Sequence, residues 1–259
     1  MTRGLYIATT GMLNELKRQD VIANNLANVN TAGYKRDIPV SKAFPSLLLK
    51  RINDPKPITG GFEVDPRPIT GRIGLGVNPD TTAHDLATPG SYQETGNVLD
   101  LALFGNGFFT VQTPSGERYT RNGNFVVDTE YRLVTTDGYP VLGKNGPIEV
   151  NGSEININQV GDVIVNNEFV DRLQVVDFAK PYELTKMGNS MFIPTDPNAI
   201  PQQVPNIRVK SGTLEMSNVS VISEMVNLIT VSRAYQANQR VIKAHDTTMG
   251  RAIEGLGKV

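Results

Sequence analysis

Few side chains in this sequence carry the equipment for catalysis. The chain of 259 residues has no cysteine and only two histidines, His84 and His245. That rules out disulfides, thiolate nucleophiles and Cys-ligated metal, and it leaves too few imidazoles for a multi-histidine metal centre. His245 is followed by Asp246, but no serine motif joins them into a nucleophilic triad. The carboxylates Asp100, Glu117, Asp128, Asp137 and Glu149 lie beside turn signals and lack a recurring pair spacing, so they read as solvated turn residues. Gly74-Leu75-Gly76 and Gly105-Asn106-Gly107 lack both the third glycine and the following helix that a phosphate loop needs. The sequence points to no enzyme, no cofactor and no metal.

What remains is hydrogen-bonding chemistry of a kind suited to joining chains. Asn24, Asn25, Asn28 and Asn30 crowd the stretch QDVIANNLANVNTAGYKR at 19–36. Amides of this sort are costly to bury alone and useful once a neighbour satisfies them. They close an apolar pattern in which Leu5, Met12 and Leu26 are spaced by multiples of seven, with Leu16 and Ala23 at the complementary offset. The spacing predicts a helix from Thr2 to Asn28, stopped near Gly33.

The opposite end repeats the theme. Val221, Leu228, Tyr235, Ile242 and Met249 recur every seven residues, Met225 joins them at the second seam position, and Ile222, Val226 and Ile229 widen the stripe. A helix from about Val219 to Glu254 would be roughly 50 Å long at 1.5 Å per residue, more than a compact domain of this size needs. It calls for a partner helix, and the other terminus supplies one.

Between the ends the text changes. All sixteen prolines lie between Pro39 and Pro205, so helices belong at the termini and turns in the middle. Residues 37–97 read as an extended Pro/Gly-rich linker, with DPKPITG at 54–60 nearly repeated as DPRPITG at 65–71. Residues 98–206 alternate short apolar runs with Ser115-Gly116, Asn122-Gly123, Asp137-Gly138, Asn145-Gly146 and Asn151-Gly152, the signals of hairpin turns. The fold class expected is α+β: N-terminal helix 1–36 and C-terminal helix 207–259 pairing as a coiled-coil-like domain, with a central, mainly antiparallel β domain. Net charge is −1, and its division into mildly basic ends and an acidic middle shows no clustered basic-aromatic footprint for nucleic acid. No apolar run is long enough to span a bilayer, and the first twenty residues have no secretory h-region.

ANNLANVNTAGYK at 23–35 together with LEMSNVSVISEMVNLITVSRAYQANQRVI at 214–242 resembles the paired terminal signatures of the flagellar axial proteins, the rod and hook family of the bacterial flagellum. LALFGNGFFTVQTPSGERYTRNGNFVVDTEYRLVTTDGYPVLG at 101–143 is similar to that family's central domain, with its motifs in the same order. DGYPVLGKNGPIEV and the ending MGRAIEGLG look more like the proximal-rod member, while IGLGVNPD and LEMSNVSVISEMVNLI are shared with distal-rod proteins.

The resemblance implies a structural subunit of the basal-body rod in the periplasmic or equivalent wall zone. Its implied partners are copies of itself, other rod proteins and the flagellar type III export apparatus, with no nucleic acid and no membrane insertion. On this reading both termini are mobile in the monomer and order when neighbours bury them. The expected interface comprises Leu5, Met12, Leu16, Asn24, Asn25, Leu26 and Asn28 on the first helix, and Val221, Met225, Leu228, Tyr235, Asn238 and Ile242 on the second. Two rival classes are a wall-acting hydrolase, for which no motif exists, and a soluble adhesion or ligand-binding β module with the helices as spacers.

Overall fold

The computed structural model describes residues 2–52, 56–58, 62–64, 67–152, 154–180, 182–196, 199–204 and 207–257. It is an α+β chain in which one helix at each end flanks a mostly antiparallel β region, and it folds as two compact units. The first unit contains residues 1–23, 39–83 and 225–259, and the second 24–38 and 84–224.

Helix α1 spans Thr2–Ala27. Its end follows from the asparagines, because the Asn24 carbonyl accepts both the Asn28 backbone N–H at 3.2 Å and the Asn28 side-chain amide at 2.9 Å. Thr31 N–H then returns to the Asn28 carbonyl, and Gly33 adopts φ +66°. A residue in this left-handed region is the usual helix stop. Helix α2 spans Val221–Leu256. Ser220 opens it, its carbonyl accepting Glu224 N–H at 3.0 Å and its hydroxyl Ser223 N–H at 3.5 Å.

After α1 come six strands, β1 (Asp37–Ala43), β2 (Leu47–Lys50), β3 (Lys56–Ile58), β4 (Phe62–Val64), β5 (Ile69–Ile73) and β6 (Val77–His84). They pair as β1 with β6, β2 with β5 and β3 with β4, so the Pro/Gly-rich stretch is a nested two-stranded ribbon. Of the seven-residue repeat, residues 56–58 lie in β3 and 69–71 in β5, while 54–55, 59–60 and 65–66 lie outside the described residues. The ribbon leaves Leu47, Leu48, Leu49, Ile52 and Ile69 exposed.

In the second unit follow β7 (Tyr92–Glu94), β8 (Leu101–Leu103), β9 (Phe108–Thr113), β10 (Gly116–Thr120), β11 (Phe125–Val127), β12 (Leu133–Thr135), β13 (Ile155–Ile157), β14 (Asp162–Val165), β15 (Glu168–Arg172), β16 (Val175–Asp177), β17 (Leu184–Lys186), β18 (Met191–Pro194), β19 (Gln202–Gln203), β20 (Val209–Ser211) and β21 (Thr213–Glu215). Six of them form one sheet in the order β17-β18-β10-β9-β16-β19, and β13-β14-β15 form another. The pairs β11-β12, β8-β20 and β7-β21 complete the set. The core is continuous and apolar, with Leu101, Phe109, Val111, Phe125, Leu133, Val141, Val163 and Leu173 all buried. A second cluster packs Phe108 against Phe178, Tyr182 and Phe192.

The turn signals divide. Gly116, Gly138 and Gly146 have positive φ, as tight turns require. Asn122-Gly123 and Asn151-Gly152 are not turns of that kind: a β-carbon at Gly123 would lie 1.7 Å from the Leu101 carbonyl oxygen, and one at Gly152 would lie 2.3 Å from Val165. At these two positions glycine serves close approach of chain to chain.

Candidate assembly site

Two features of the molecule bear on joining subunits: a buried junction in the second unit that holds the exit of α1 and the entry of α2, and the outer faces of the helices themselves.

The junction is built from three motifs far apart in sequence. Lys35 follows the α1 stop, Arg121 follows β10 and Glu215 ends β21. All three side chains are buried, Lys35 and Glu215 to 1% exposure and Arg121 to 5%. Lys35 Nζ donates to Glu215 Oε1 at 2.7 Å and to the Thr88 carbonyl at 2.9 Å. Arg121 Nη1 donates to Glu215 Oε2 at 3.2 Å, and Nη2 to the Gly105 carbonyl at 2.6 Å. Gly90 N–H gives the Glu215 carboxylate a third donor, at Oε1 and 3.1 Å, and Gly33 N–H bonds the Glu215 carbonyl at 2.7 Å. One carboxylate is thus shared by two buried cations. Burial pushes the Lys35 ammonium below its ordinary range, with Glu215 opposing that shift.

The next residue extends the link to α2. Arg36 N–H bonds the Asn218 side chain at 2.7 Å, and the Asn218 amide donates to the Asp85 and Thr88 carbonyls. Arg36 Nε lies 2.7 Å from Oε1 of Glu224, which is 1% exposed in the first turn of α2. The contact is one of charge rather than of aligned hydrogen bonding, since neither atom has a well-oriented partner. An acid in the first turn also meets the positive end of the helix dipole.

A second cluster closes the α1 exit. The Tyr34 hydroxyl lies 2.7 Å from Asn24 Oδ1 and 3.1 Å from Asn25 Oδ1. Asn25 exchanges two hydrogen bonds with the Asp37 backbone, at 2.8 and 2.9 Å. Asp37 Oδ1 meets His84 Nδ1 at 2.7 Å and Lys186 Nζ at 3.3 Å, and the same ammonium sits 3.5 Å from the centre of the Tyr34 ring. Burial pushes the Asp37 carboxyl up, but the His84 hydrogen bond and the Lys186 charge outweigh it and hold the group below the usual carboxylate range. Burial, reinforced by Asp37, pushes the Tyr34 phenol well above its ordinary value.

The structure places the sequence-derived interface residues in three settings. Asn25 is buried and its amide is used inside the chain. Leu5, Met12, Leu26, Asn28, Leu228, Tyr235, Asn238 and Ile242 are half-buried. Leu16, Asn24, Val221 and Met225 are exposed. Asn24 and Asn25 are brought together around Tyr34, and Asn238 sits beside Gly11 of α1. Sequence reasoning missed the junction roles of Tyr34, Lys35, Arg36, Arg121, Glu215, Asn218 and Glu224, although all lie within the quoted stretches.

The outer helix faces are apolar and bare. On α2, Ile222, Val226 and Ile229 share one face at i, i+4 and i+7, with exposures of 78%, 57% and 54%, and Met225 adjoins them. On α1, Tyr6 and Leu13 are as open, at 53% and 54%. Apolar residues clustered this way on a helix mark a contact surface. Among the described residues no group of acids and histidines is placed to hold a metal ion, and no helix is long and apolar enough to cross a membrane.

Comparison with known proteins follows the same three segments. Residues 5–35 match the family described as flagella basal body rod protein, 102–165 the flagellar hook protein FlgE/F/G D1 domain, and 210–254 the flagellar basal body rod FlgEFG protein C-terminal region. The flagellar basal-body rod protein FlgG of Borreliella burgdorferi is 34% identical over 97% of this chain and 98% of its own. The chain belongs to the flagellar basal-body rod protein family. The hook-basal body complex protein FlhO of Bacillus subtilis is 32% identical and the rod protein FlgF of Caulobacter vibrioides 30%, each over the full length of both chains. The family is one of structural proteins, not enzymes, and its place is the rod of the flagellar basal body, where members assemble with other rod and hook proteins. The buried junction in this rod-family chain joins residues from all three matched segments or their immediate edges.

Proposed function

We propose that this chain is a structural subunit of the proximal rod, polymerising through its terminal helices into the shaft that transmits motor torque. The observation that carries this reading is the bare apolar face of α2 at Ile222, Met225, Val226 and Ile229, matched on α1 by Tyr6, Leu13 and Leu16. A monomer gains nothing from such faces in water, whereas burial against neighbours stabilises at roughly 25 cal/mol per Å² of apolar area. The helices pair as a coiled coil within the subunit and pack again between subunits, so the wide stripe on α2 has an inner and an outer part. Their partners are other copies and other rod proteins. Helical order at the ends is completed by that burial, and the flagellar type III apparatus delivers the chain before it folds.

DGYPVLGKNGPIEV at 137–150 and MGRAIEGLG at 249–257 favour the proximal type. A distal-rod subunit is the second reading, favoured by IGLGVNPD at 73–80. A free-standing β module would leave the helix faces without a use.

The test is the double substitution Val226→Asp with Ile229→Asp in the full chain. Both side chains are open to solvent, so stability changes by only about 0.5 kcal/mol or less. Cells carrying it are expected to build no rod and to lose motility. Normal rods with these two aspartates would refute assembly through this face.

A further inference from the structure

Gly4 and Gly11 lie seven residues apart on α1, and Asn238 and His245 lie seven apart on α2. A β-carbon at Gly4 would lie 2.6 Å from His245 Nε2, and one at Gly11 would lie 3.1 Å from Asn238 Nδ2. The pairing is antiparallel, 4 with 245 and 11 with 238, and both contacts fall within the first compact unit. Glycine is among the poorest residues for a helix interior, so two of them at one spacing, each under a side chain of the other helix, require a packing reason.

We propose that Gly4 and Gly11 are register notches, and that Asn238 and His245 are the knobs that fix α1 and α2 in one alignment. No other heptad alignment seats both knobs. Sliding α2 by seven residues in one sense puts Asn238 against Arg18, and His245 then takes the Gly11 notch. Sliding it the other way puts Asn238 on Gly4 and the branched Val231 on Gly11, and carries His245 off both glycines. Size therefore sets the register, since only the observed alignment puts a glycine of α1 under both Asn238 and His245.

The consequence for assembly rests on the reading that the helices join subunits. With one intramolecular register, every copy shows its neighbours the same spacing between the outer face of α1 and that of α2. A heptad slip would displace one face by about 10 Å at 1.5 Å per residue and end the repeat.

The absence of native cysteine gives a clean test in the full chain. A β-carbon at Gly11 lies 3.5 Å from Asn238 Cγ, close to where a cysteine sulfur would stand, so Gly11→Cys with Asn238→Cys can close a disulfide. Mild oxidation of the purified protein is expected to give an internal cross-link in this pair and none in the slipped pair Arg18→Cys with Asn238→Cys. Equal cross-linking of both pairs, or only links between chains, would overturn the proposal.

In cells, Gly11→Leu is expected to abolish rods and motility, and adding Asn238→Gly to restore them, with Asn238→Gly alone as the control. Normal rods with Gly11→Leu would also overturn it. If the 11/238 cross-link forms as expected while the Val226→Asp and Ile229→Asp chain still builds rods, the notches stand and the assembly reading falls.

Discussion

Removing the Glu215 carboxylate tests whether the buried junction is organised around one shared anion. Glu215→Ala orphans two cations at once, because Lys35 and Arg121 are buried to 1% and 5% exposure and, among the described residues, share no other acid within salt-bridge reach. Breaking a buried pair so that charge is left uncompensated costs about 3–5 kcal/mol. Lys35→Met leaves Glu215 paired with Arg121 and Gly90 N–H, so it loses only hydrogen bonds to a charged group, about 1.5–3 kcal/mol. The order Glu215→Ala worse than Lys35→Met is the signature of the shared anion. At a urea dependence of about 2 kcal/mol per molar, the midpoint falls by about 2 M for the first and about 1 M for the second. The chain has no tryptophan, so the transition is followed by the near-ultraviolet circular dichroism of its tyrosines. A Lys35→Met variant as unstable as Glu215→Ala would refute the argument, since Lys35 would then matter for something other than its share in that carboxylate.

Three further outcomes follow from the same geometry. Gly33→Ala combines a φ of +66° with a β-carbon 2.2 Å from Asn122 N, and is expected to destabilise the second unit by about 2 kcal/mol or more in urea unfolding. The depressed Asp37 pKa gives a contribution to stability that is fully present above the ordinary carboxylate value of 3.8 and is lost as pH falls through the lower folded value; Asp37→Asn should flatten the stability-versus-pH curve between about pH 5 and pH 2. Asn25→Ala removes both hydrogen bonds to the Asp37 backbone and should cost about 1–3 kcal/mol, whereas Asn24→Ala, at an exposed site with one such contact to Tyr34, should cost less; chemical denaturation of the two variants side by side decides it.

The terminal helices were legible because seven-residue spacing is local. The expected Thr2–Asn28 became Thr2–Ala27, and Val219–Glu254 became Val221–Leu256. Hairpin glycines were legible for the same reason at 116, 138 and 146, where a positive φ is demanded by the turn itself. At 123 and 152 the demand comes instead from chain far away in sequence, which a dipeptide signal does not contain. The junction was invisible for that reason too: Lys35 and Glu215 are 180 residues apart, and Arg121 and Glu215 are 94 apart. Each lay in a motif quoted for its resemblance, and a charged residue inside an otherwise apolar or turn-forming motif is the signal that could have found them. The asparagines were read as amides awaiting a neighbour, but Asn25 ends its own helix, because the Asp37 backbone, twelve residues on, returns to it. Heptad counting also favoured the half-buried seam of Leu228, Tyr235 and Ile242 over the open face of Ile222, Val226 and Ile229, since a seven-residue comb cannot separate an inner from an outer stripe on one helix.

The most direct measurement is a density map of the intact basal body with this subunit in place. Ile222, Met225, Val226 and Ile229 of each copy are expected to be covered by helices of adjacent subunits. Density in which that face meets only solvent, with contacts between subunits made by the β domain alone, would contradict it.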